Sequence, residues 1–386
     1  MNDTSTEAEG AVIHVGDPAA LSVPDSVLDA PGGFAWWYVD ALDAAGDGLV
    51  LIWSYGLPFL PGYLSGARAG RGDPAKARPS LNLAVYEGGR PAFYLLQAYD
   101  PQDVSMTPDG RFRFGRSHIV RETGRVHLDL DCPLPGTRDR LRGQVEVQGP
   151  AARLGPGLSP SPLPDHRWTP VLGPARVAAD LAAGPRRFRV DAPAYHDRNE
   201  GRRRFDDLGI DHWIWGRLVT EQRTRIWYLC YAKTGPSSAW GVELAADGEV
   251  RMIPDLSPRI ERPRTGAFGL RTWDTVTLVD GSGEPWVRAR TGRRVDDGFF
   301  YARTVVEVTS GSEAGLGLAE WIVPDRIDLP RHRPLVRMAV HDASGPNSMW
   351  LPLFSGSRAG RWARLMGLRE RRGTRRASPP PGEAAS

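Results

Sequence analysis

The chain has 386 residues, 41% of them apolar and 25% charged, which is typical of a globular protein with room for two domains. Its two cysteines, Cys132 and Cys230, exclude a disulfide framework and have no CxxC spacing, so we expect a reducing compartment. The net charge is +3, but residues 356–386 hold eight arginines and two glutamates, a net of +6, which leaves −3 for the rest. Only two basic residues are lysines, and we do not interpret this arginine bias as a nucleic-acid signature.

Residues 1–30 are polar and predict a flexible N-terminal segment without the apolar region of a secretion signal. No apolar stretch is long enough to span a bilayer. We therefore expect a soluble, cytoplasmic body.

From Phe34 onward the sequence changes to short runs rich in β-branched and aromatic residues, which predict strands. Glycine-containing turns at 87–90 (EGGR) and 122–125 (ETGR) predict hairpins, because glycine supplies the positive φ that such turns need. These runs define a predicted first domain at 31–150. They read FAWWYVDAL, DGLVLIWSYGL, LNLAVYEGGRPAFYLLQAY and RFRFGRSHIVRETGRVHLDLDC.

Residues 151–178 are dense in proline and glycine and predict a linker. The strand pattern then resumes and predicts a second domain at 179–355, followed by the basic tail at 356–386. Neither GxGxxG after a strand nor GxxxxGK[ST] occurs, which argues against a nucleotide-binding α/β fold. Regularly spaced short strands instead predict an all-β chain of two tandem antiparallel barrels.

The tail places Trp362, Leu365, Met366 and Leu368 among arginines. One interpretation is a basic amphipathic helix that contacts an anionic membrane surface. The other is a disordered, solubilising tail.

Residues 194–217, AYHDRNEGRRRFDDLGIDHWIWGR, concentrate the polar and aromatic side chains that could carry chemistry. A metal site is poorly supported, because the adjacent His196 and Asp197 would point to opposite faces of a strand and no HxH, HExxH or cysteine pair accompanies them. A nucleophile is equally poorly supported: GxSxG is absent, and Cys230 lies in an apolar strand that favours an inert thiol. We therefore predict no metal site.

Acid–base chemistry fits the same stretch better. A carboxyl such as Asp197 at the mouth of an apolar cavity stays protonated and can act as an acid, with Tyr195 and His196 relaying the proton and Asn199 orienting it. A tryptophan, Trp213 or Trp215, offers a π face to a positive centre on a substrate. The alternative is a capped loop in which the polar side chains bind their own backbone and the tryptophans are core.

Several motifs together resemble the hydroxyneurosporene synthase family, the carotenoid 1,2-hydratases, which are related to lipocalin-like bacterial proteins and fungal Diels–Alderases. The similarity covers roughly residues 31–345, and only the combination is specific. The matching stretches are AYHDRNEG (194–201), HWIWGR (212–217), FAWWYVDA (34–41), SYGLPFLPGY (54–63), LNLAVY (81–86) and LAEWIVPDRIDLPRHRPLVRMAV (318–340).

The resemblance implies two lipocalin-like β-barrels and the cofactor-independent addition of water to the terminal C=C of an acyclic carotenoid, a lipophilic polyene drawn from a membrane. Carried onto this sequence, it implies Asp197 as the acid, with Tyr195 and His196 beside it. It also implies Trp213 and Trp215 as the aromatics that face the cation and Arg217 as an anchor behind them. Together with Trp37, Tyr228 and Asn199, these are the predicted substrate-binding residues.

Two departures from the family pattern keep other functions open. Asn199–Glu200–Gly201 stands where relatives tend to have Asn-Trp-Gly, and Tyr228–Leu229–Cys230 stands where a Tyr-x-Asp pair is expected. A cyclase or Diels–Alderase acting on a polyene natural product, in which cavity shape does the work, is therefore an alternative. A non-catalytic carrier of a lipophilic molecule is another.

Overall fold

The computed structural model describes residues 13–14, 22–60, 62–134, 138–154, 165–266, 269–332 and 340–342. The predicted tail at 356–386 lies outside these residues. In the part of the chain that is described, strands greatly outnumber helices. The helices are α1 (Asp25–Leu28), α2 (Tyr63–Arg68) and the 3-10 turns Ala75–Ala77, Pro101–Asp103, Phe205–Asp207 and Pro324–Arg326.

The strands fall into two groups along the chain. The first group is β1 (Ile13–His14), β2 (Phe34–Leu42), β3 (Gly48–Tyr55), β4 (Pro79–Glu87), β5 (Arg90–Ala98), β6 (Val104–Met106), β7 (Arg111–Phe114), β8 (Ser117–Glu122), β9 (Arg125–Pro133), β10 (Arg140–Gln148), β11 (Arg153–Leu154), β12 (Arg167–Ala183) and β13 (Arg186–Gly201). The second group is β14 (Ile210–Val219), β15 (Arg223–Ala232), β16 (Ser238–Ala245), β17 (Val250–Ile253), β18 (Ser257–Thr265), β19 (Arg271–Val279), β20 (Pro285–Asp297), β21 (Tyr301–Ser310) and β22 (Glu313–Ile322), with β23 (Val340–Asp342) at the end.

These strands form two large sheets. Sheet one has the order β23-β5-β4-β3-β2-β13-β12-β10-β9-β8-β7-β6, and sheet two has the order β17-β16-β15-β14-β22-β21-β20-β19-β18. Pairing is antiparallel except between β23 and β5, and β1 pairs with β11 separately. Both sheets are curled into half-barrels, so the predicted all-β fold of two tandem lipocalin-like halves is confirmed.

The two hairpin turns predicted in the first half are also confirmed. Gly88 and Gly89, between β4 and β5, have φ of 56° and 66°, and Gly124, between β8 and β9, has φ of 76°. Each value lies in the left-handed region that glycine adopts without steric cost.

Strand pairing divides the chain elsewhere than the predicted linker at 151–178. Strand β12 begins at Arg167, inside that segment, and pairs with β10 on one side and β13 on the other. The sheets separate only after Gly201, where β13 ends. The prolines mislead here because Pro170 and Pro174 lie at register shifts of β12, where a lost ladder hydrogen bond is tolerated.

Burial patterns show which strands pack at the contact between the two sheets. Strand β9 alternates between exposed and buried residues, as a strand with one solvent-facing side does. Strands β2 and β3, the last half of β13, and most of β14 and β15 are instead buried on both faces. One hydrophobic core fills sheet one and continues to its contact with sheet two, and a second core lies inside sheet two.

Candidate active site

Successive side chains at the end of strand β13 point to opposite faces of sheet one. Tyr195, Asp197 and Asn199 share one face, and His196 lies on the other. In register, Asp197 pairs with Tyr38 of β2 and with Pro170 of β12. The face that carries Asp197 is the one turned toward sheet two.

The Asp197 carboxyl group is held by two donors. Trp168 Nε1 donates to Oδ2 at 2.8 Å, and Asn199 Nδ2 donates to Oδ1 at 2.9 Å. Asn199 Oδ1 in turn lies 2.9 Å from His166 Nε2, and since this oxygen can only accept, the imidazole nitrogen carries the proton. Asn199 therefore orients the Asp197 carboxyl group.

Burial decides the protonation state of Asp197. The residue is 3% exposed, and desolvation of its charged form raises its pKa from 3.8 to about 8. Trp168 and Tyr195 lower the pKa and Asp40 raises it, but burial is the largest cause. The carboxyl group is therefore mainly protonated at neutral pH, the state a general acid requires.

Tyr195 lies beside this acid and is fully buried. Its ring centroid is 6.3 Å from that of Trp215 on sheet two. Its hydroxyl has no partner at hydrogen-bonding geometry among the described residues, although the residue is close enough to Asp197 to affect the pKa of the carboxyl. Burial raises the pKa of Tyr195 well above 10, so the hydroxyl keeps its proton and can donate it in a hydrogen bond.

Sheet two supplies an aromatic wall opposite Asp197. Tyr228 of β15 stacks on Trp240 of β16 with centroids 4.9 Å apart, and Trp168 of sheet one meets Tyr228 edge-on at 5.3 Å. Trp215 of β14 meets Tyr38 of sheet one edge-on at 5.6 Å. We call the cluster formed by Trp168, Tyr195, Asp197, Trp215, Tyr228 and Trp240 the inter-sheet site.

Trp213 occupies one end of the inter-sheet site. Its ring centroid is 4.6 Å from that of Phe205 and 5.6 Å from that of His166, whose Nε2 contacts Asn199. The residue therefore packs next to the groups that orient the acid.

Buried polar contacts join the two sheets beside the site. Arg217 of β14 donates from Nε to Asp40 Oδ1 of β2 at 2.8 Å, with both side chains fully buried. Tyr38 donates to Asp40 Oδ2 at 2.9 Å and lies 3.3 Å from Glu320 Oε1 on β22. Arg217 thus joins one sheet to the other beside the site, and its predicted part in substrate binding remains a prediction.

His196 and Trp37 lie away from the acid, and this corrects their predicted roles. His196 Nδ1 donates to the Tyr38 carbonyl at 2.8 Å, and its ring lies 5.5 Å from Trp53 inside sheet one. Trp37 stacks on Trp53 at 6.1 Å in the same interior. Because adjacent residues of a strand face opposite ways, His196 cannot relay a proton to Asp197, and Trp37 lines no part of the inter-sheet site.

Cys230 occupies the position where the family resemblance implies a carboxylate. It is cross-strand from Trp213 on the wall of sheet two, and burial raises the pKa of its thiol from 9.0 to about 12. A neutral thiol is a poor proton donor to carbon and a poor nucleophile. In this site a buried carboxyl group with a raised pKa comes instead from Asp197 on sheet one.

The described ranges contain no group of three or more histidine, cysteine, aspartate or glutamate side chains placed to hold a metal ion. None of the helices in these ranges combines the length and apolar character needed to cross a membrane.

Sequence reasoning missed three contributors to the site: Trp168, Trp240 and Glu320. Trp168 lies in the segment predicted as a linker, and the other two lie on strands distant in sequence from residues 194–217. The motif LAEWIV, which contains Glu320, was the one available signal.

Comparison with known proteins places the chain in a family. The profile of the family "Carotenoid hydratase CrtC" matches residues 55–345. The acyclic carotenoid 1,2-hydratase of Thiocapsa roseopersicina is 30% identical over 325 residues, which cover 82% of this chain and 76% of that protein. The acyclic carotenoid 1,2-hydratase of Rubrivivax gelatinosus is 29% identical over 328 residues, which cover 79% and 74%.

A solved structure supports the same fold. A putative AttH from Nitrosomonas europaea superposes with a TM-score of 0.57 at 14% identity, covering 79% of this chain and 95% of that one. At this identity the likeness establishes the architecture alone. The family profile, which spans most of the chain, establishes the family: this protein belongs to the carotenoid hydratase family.

Proposed function

We propose that this protein is a hydro-lyase that adds water to the terminal C=C bond of an acyclic carotenoid, with Asp197 as the acid. The observation that carries the proposal is a carboxylic acid kept neutral by burial and facing an aromatic wall. The family supports the substrate class, since the relatives compared above are named acyclic carotenoid 1,2-hydratases.

Protonation of the alkene is the difficult step, because it creates a carbocation. The Asp197 proton forms a C–H bond with the π electrons of the terminal double bond and leaves a tertiary cation and a carboxylate. The hydrogen bonds from Trp168 and Asn199 to this carboxyl stabilise the carboxylate as it forms. The acid is therefore both neutral at rest and supported once it is charged.

The cation must be stabilised by groups that do not react with it. The π faces of Trp215 and Tyr228 provide negative potential in a dry site, where such an interaction contributes about 2 kcal/mol. Tyr195 places a protonated hydroxyl beside the acid and can hold the incoming water. Water then captures the cation and loses a proton, which gives a tertiary alcohol.

A second candidate function deserves a test because of Cys230. Without a carboxylate on that strand, the site could act on a polyene by shape, as a cyclase or Diels–Alderase, or bind it without turnover. Both alternatives predict that the mass of an acyclic carotenoid stays unchanged.

Membrane contact belongs to the same proposal. A carotenoid dissolves in the bilayer, and the arginine-rich residues 356–386 would bring a cytoplasmic enzyme to an anionic surface. These residues lie outside the described ranges, so this part of the proposal is carried by the sequence alone.

The deciding experiment is co-expression with a lycopene- or neurosporene-producing pathway, followed by mass spectrometry of the extracted pigments. We expect a gain of one or two waters per molecule. Unchanged pigment in cells that contain folded protein would reject the hydratase in favour of a cyclase or carrier.

A further inference from the structure

Glu320 is a second carboxyl group on the wall of the inter-sheet site. It lies on β22, directly cross-strand from Trp215, and therefore on the face of sheet two that meets sheet one. Its side chain is 11% exposed. It contributes to the raised pKa of Asp197 on the other wall, so the two carboxyl groups are within electrostatic reach of each other.

The contacts of Glu320 use only one of its two oxygens. Oε1 accepts from Arg303 Nε at 2.9 Å and lies 3.3 Å from the Tyr38 hydroxyl, which donates its proton to Asp40 Oδ2 at 2.9 Å. No described residue donates a hydrogen bond to Oε2. The charged donor fixes the carboxylate in place and leaves one oxygen to accept a proton.

We propose that Glu320 is the general base that takes the proton from the attacking water, which rests on the hydratase function proposed above. Asp197 and Glu320 face the same space from opposite sheets, with Trp215 packed beside both Glu320 and Tyr195. Their surroundings differ: neutral donors surround Asp197, whereas a guanidinium lies against Glu320. Two carboxyl groups in such different environments take the roles of acid and base.

The capture step balances as follows. A lone pair on the water oxygen forms the C–O bond to the tertiary cation. One O–H bond of that water breaks, its electrons stay on oxygen, and the proton passes to Glu320 Oε2. The product is a neutral tertiary alcohol, and exchange with solvent returns the proton from Glu320 to the Asp197 carboxylate.

The test is the Glu320→Gln variant, assayed with lycopene in phospholipid vesicles. Glutamine keeps an oxygen to accept from Arg303 but is not a base, so we expect kcat to fall by about 10²–10⁴-fold with KM unchanged. Glu243→Gln is the matched control, because Arg225 Nε holds Glu243 at 2.8 Å on the opposite face of sheet two. A Glu320→Gln kcat within about threefold of wild type overturns the proposal.

A second variant separates a base from a structural anchor. Glu320→Ala leaves space for a small carboxylate, and we expect acetate to restore more activity than fluoroacetate, a weaker base of similar size. Equal rescue by both, or no rescue of folded protein, overturns the proposal. If wild-type protein hydrates neither lycopene nor neurosporene, the proposed function itself fails and the Glu320 assignment falls with it.

Discussion

The two faces of strand β13 carry equally buried ionisable groups with opposite consequences. Facing sheet two, Asp197 has a pKa raised by burial to about 8. Facing the interior of sheet one, His196 has a pKa lowered by burial to about 3. Both groups are therefore neutral near pH 7, but only the neutral carboxyl retains a proton that it can give to carbon.

Desolvation explains the difference between Asp197 and His196, because it favours the neutral form of each group. Burial removes the charged form of any ionisable group, which leaves an acid loaded with its proton and a base without one. The interior of sheet one adds the buried guanidinium of Arg121, which lowers the pKa of His196 further. The same strand thus builds a reactive face and an inert one.

The largest expected effect is the loss of turnover in Asp197→Asn. Asparagine has no acidic proton, so we expect kcat on lycopene to fall by at least about 10³-fold while circular dichroism shows an intact fold. His196→Asn, which keeps a donor for the Tyr38 carbonyl, is the matched control and should stay within a few-fold of wild type. Full activity in Asp197→Asn would remove this residue from the mechanism.

Trp215→Leu tests the facing wall. Loss of the π face should cost about 2 kcal/mol of cation stabilisation, which corresponds to roughly a thirty-fold lower kcat. Trp37→Leu, inside sheet one, should lower thermal stability but leave kcat per folded molecule unchanged. Equal losses of kcat in the two variants would contradict the assignment of the site to one face.

The pH dependence of turnover reports the protonated fraction of Asp197. Because the pKa of this group in the folded protein is about 8, kcat/KM should fall about tenfold per unit above that pH. A profile that instead rises through the same range would require Asp197 to act as a carboxylate.

The remaining effects are on stability, and the two faces should differ in sign. Between pH 3.8 and about 8, unfolded Asp197 is ionised and the folded group is protonated, so its contribution to stability falls as pH rises. Between about pH 3 and 6.5, unfolded His196 is protonated and the folded group is neutral, so its contribution falls as pH drops.

Denaturant titrations across pH measure both contributions. Relative to wild type, Asp197→Asn should gain about 1.4 kcal/mol per unit as pH rises through its window, and His196→Asn should gain as pH falls through the other. Parallel curves for a variant and wild type would show that its pKa does not shift on folding.

The sequence predicted the strands and the turns, because each depends on neighbouring residues, and it singled out Asp197 as the candidate acid. Alternation also showed that His196 and Asp197 point to opposite faces, but not which face meets sheet two. That choice depends on how the curled sheets pack, which brings Trp168 of sheet one against Tyr228 of sheet two.

Strand β12 shows a second limit of sequence reasoning. Its prolines predict a linker by composition, yet the register shifts at Pro170 and Pro174 absorb them within the sheet. Trp168, which holds the acid, was hidden for that reason. Local composition shows that a proline would cost a backbone hydrogen bond within a sheet. It does not show whether a bulge at that position removes the cost.

The order of strands has a consequence for inheritance. β13 is the last long strand of sheet one and β14 the first of sheet two, with β12 before them and β15 after. Residues 167–232 therefore encode the acid, both donors that hold it, and most of the facing aromatic wall. A recombination event with crossovers at residues 167 and 232 would move Asp197, its two donors and most of the facing wall between relatives as one unit, but it would leave Glu320 behind. An exchange of either half-barrel alone would separate Asp197 from the aromatic wall of sheet two.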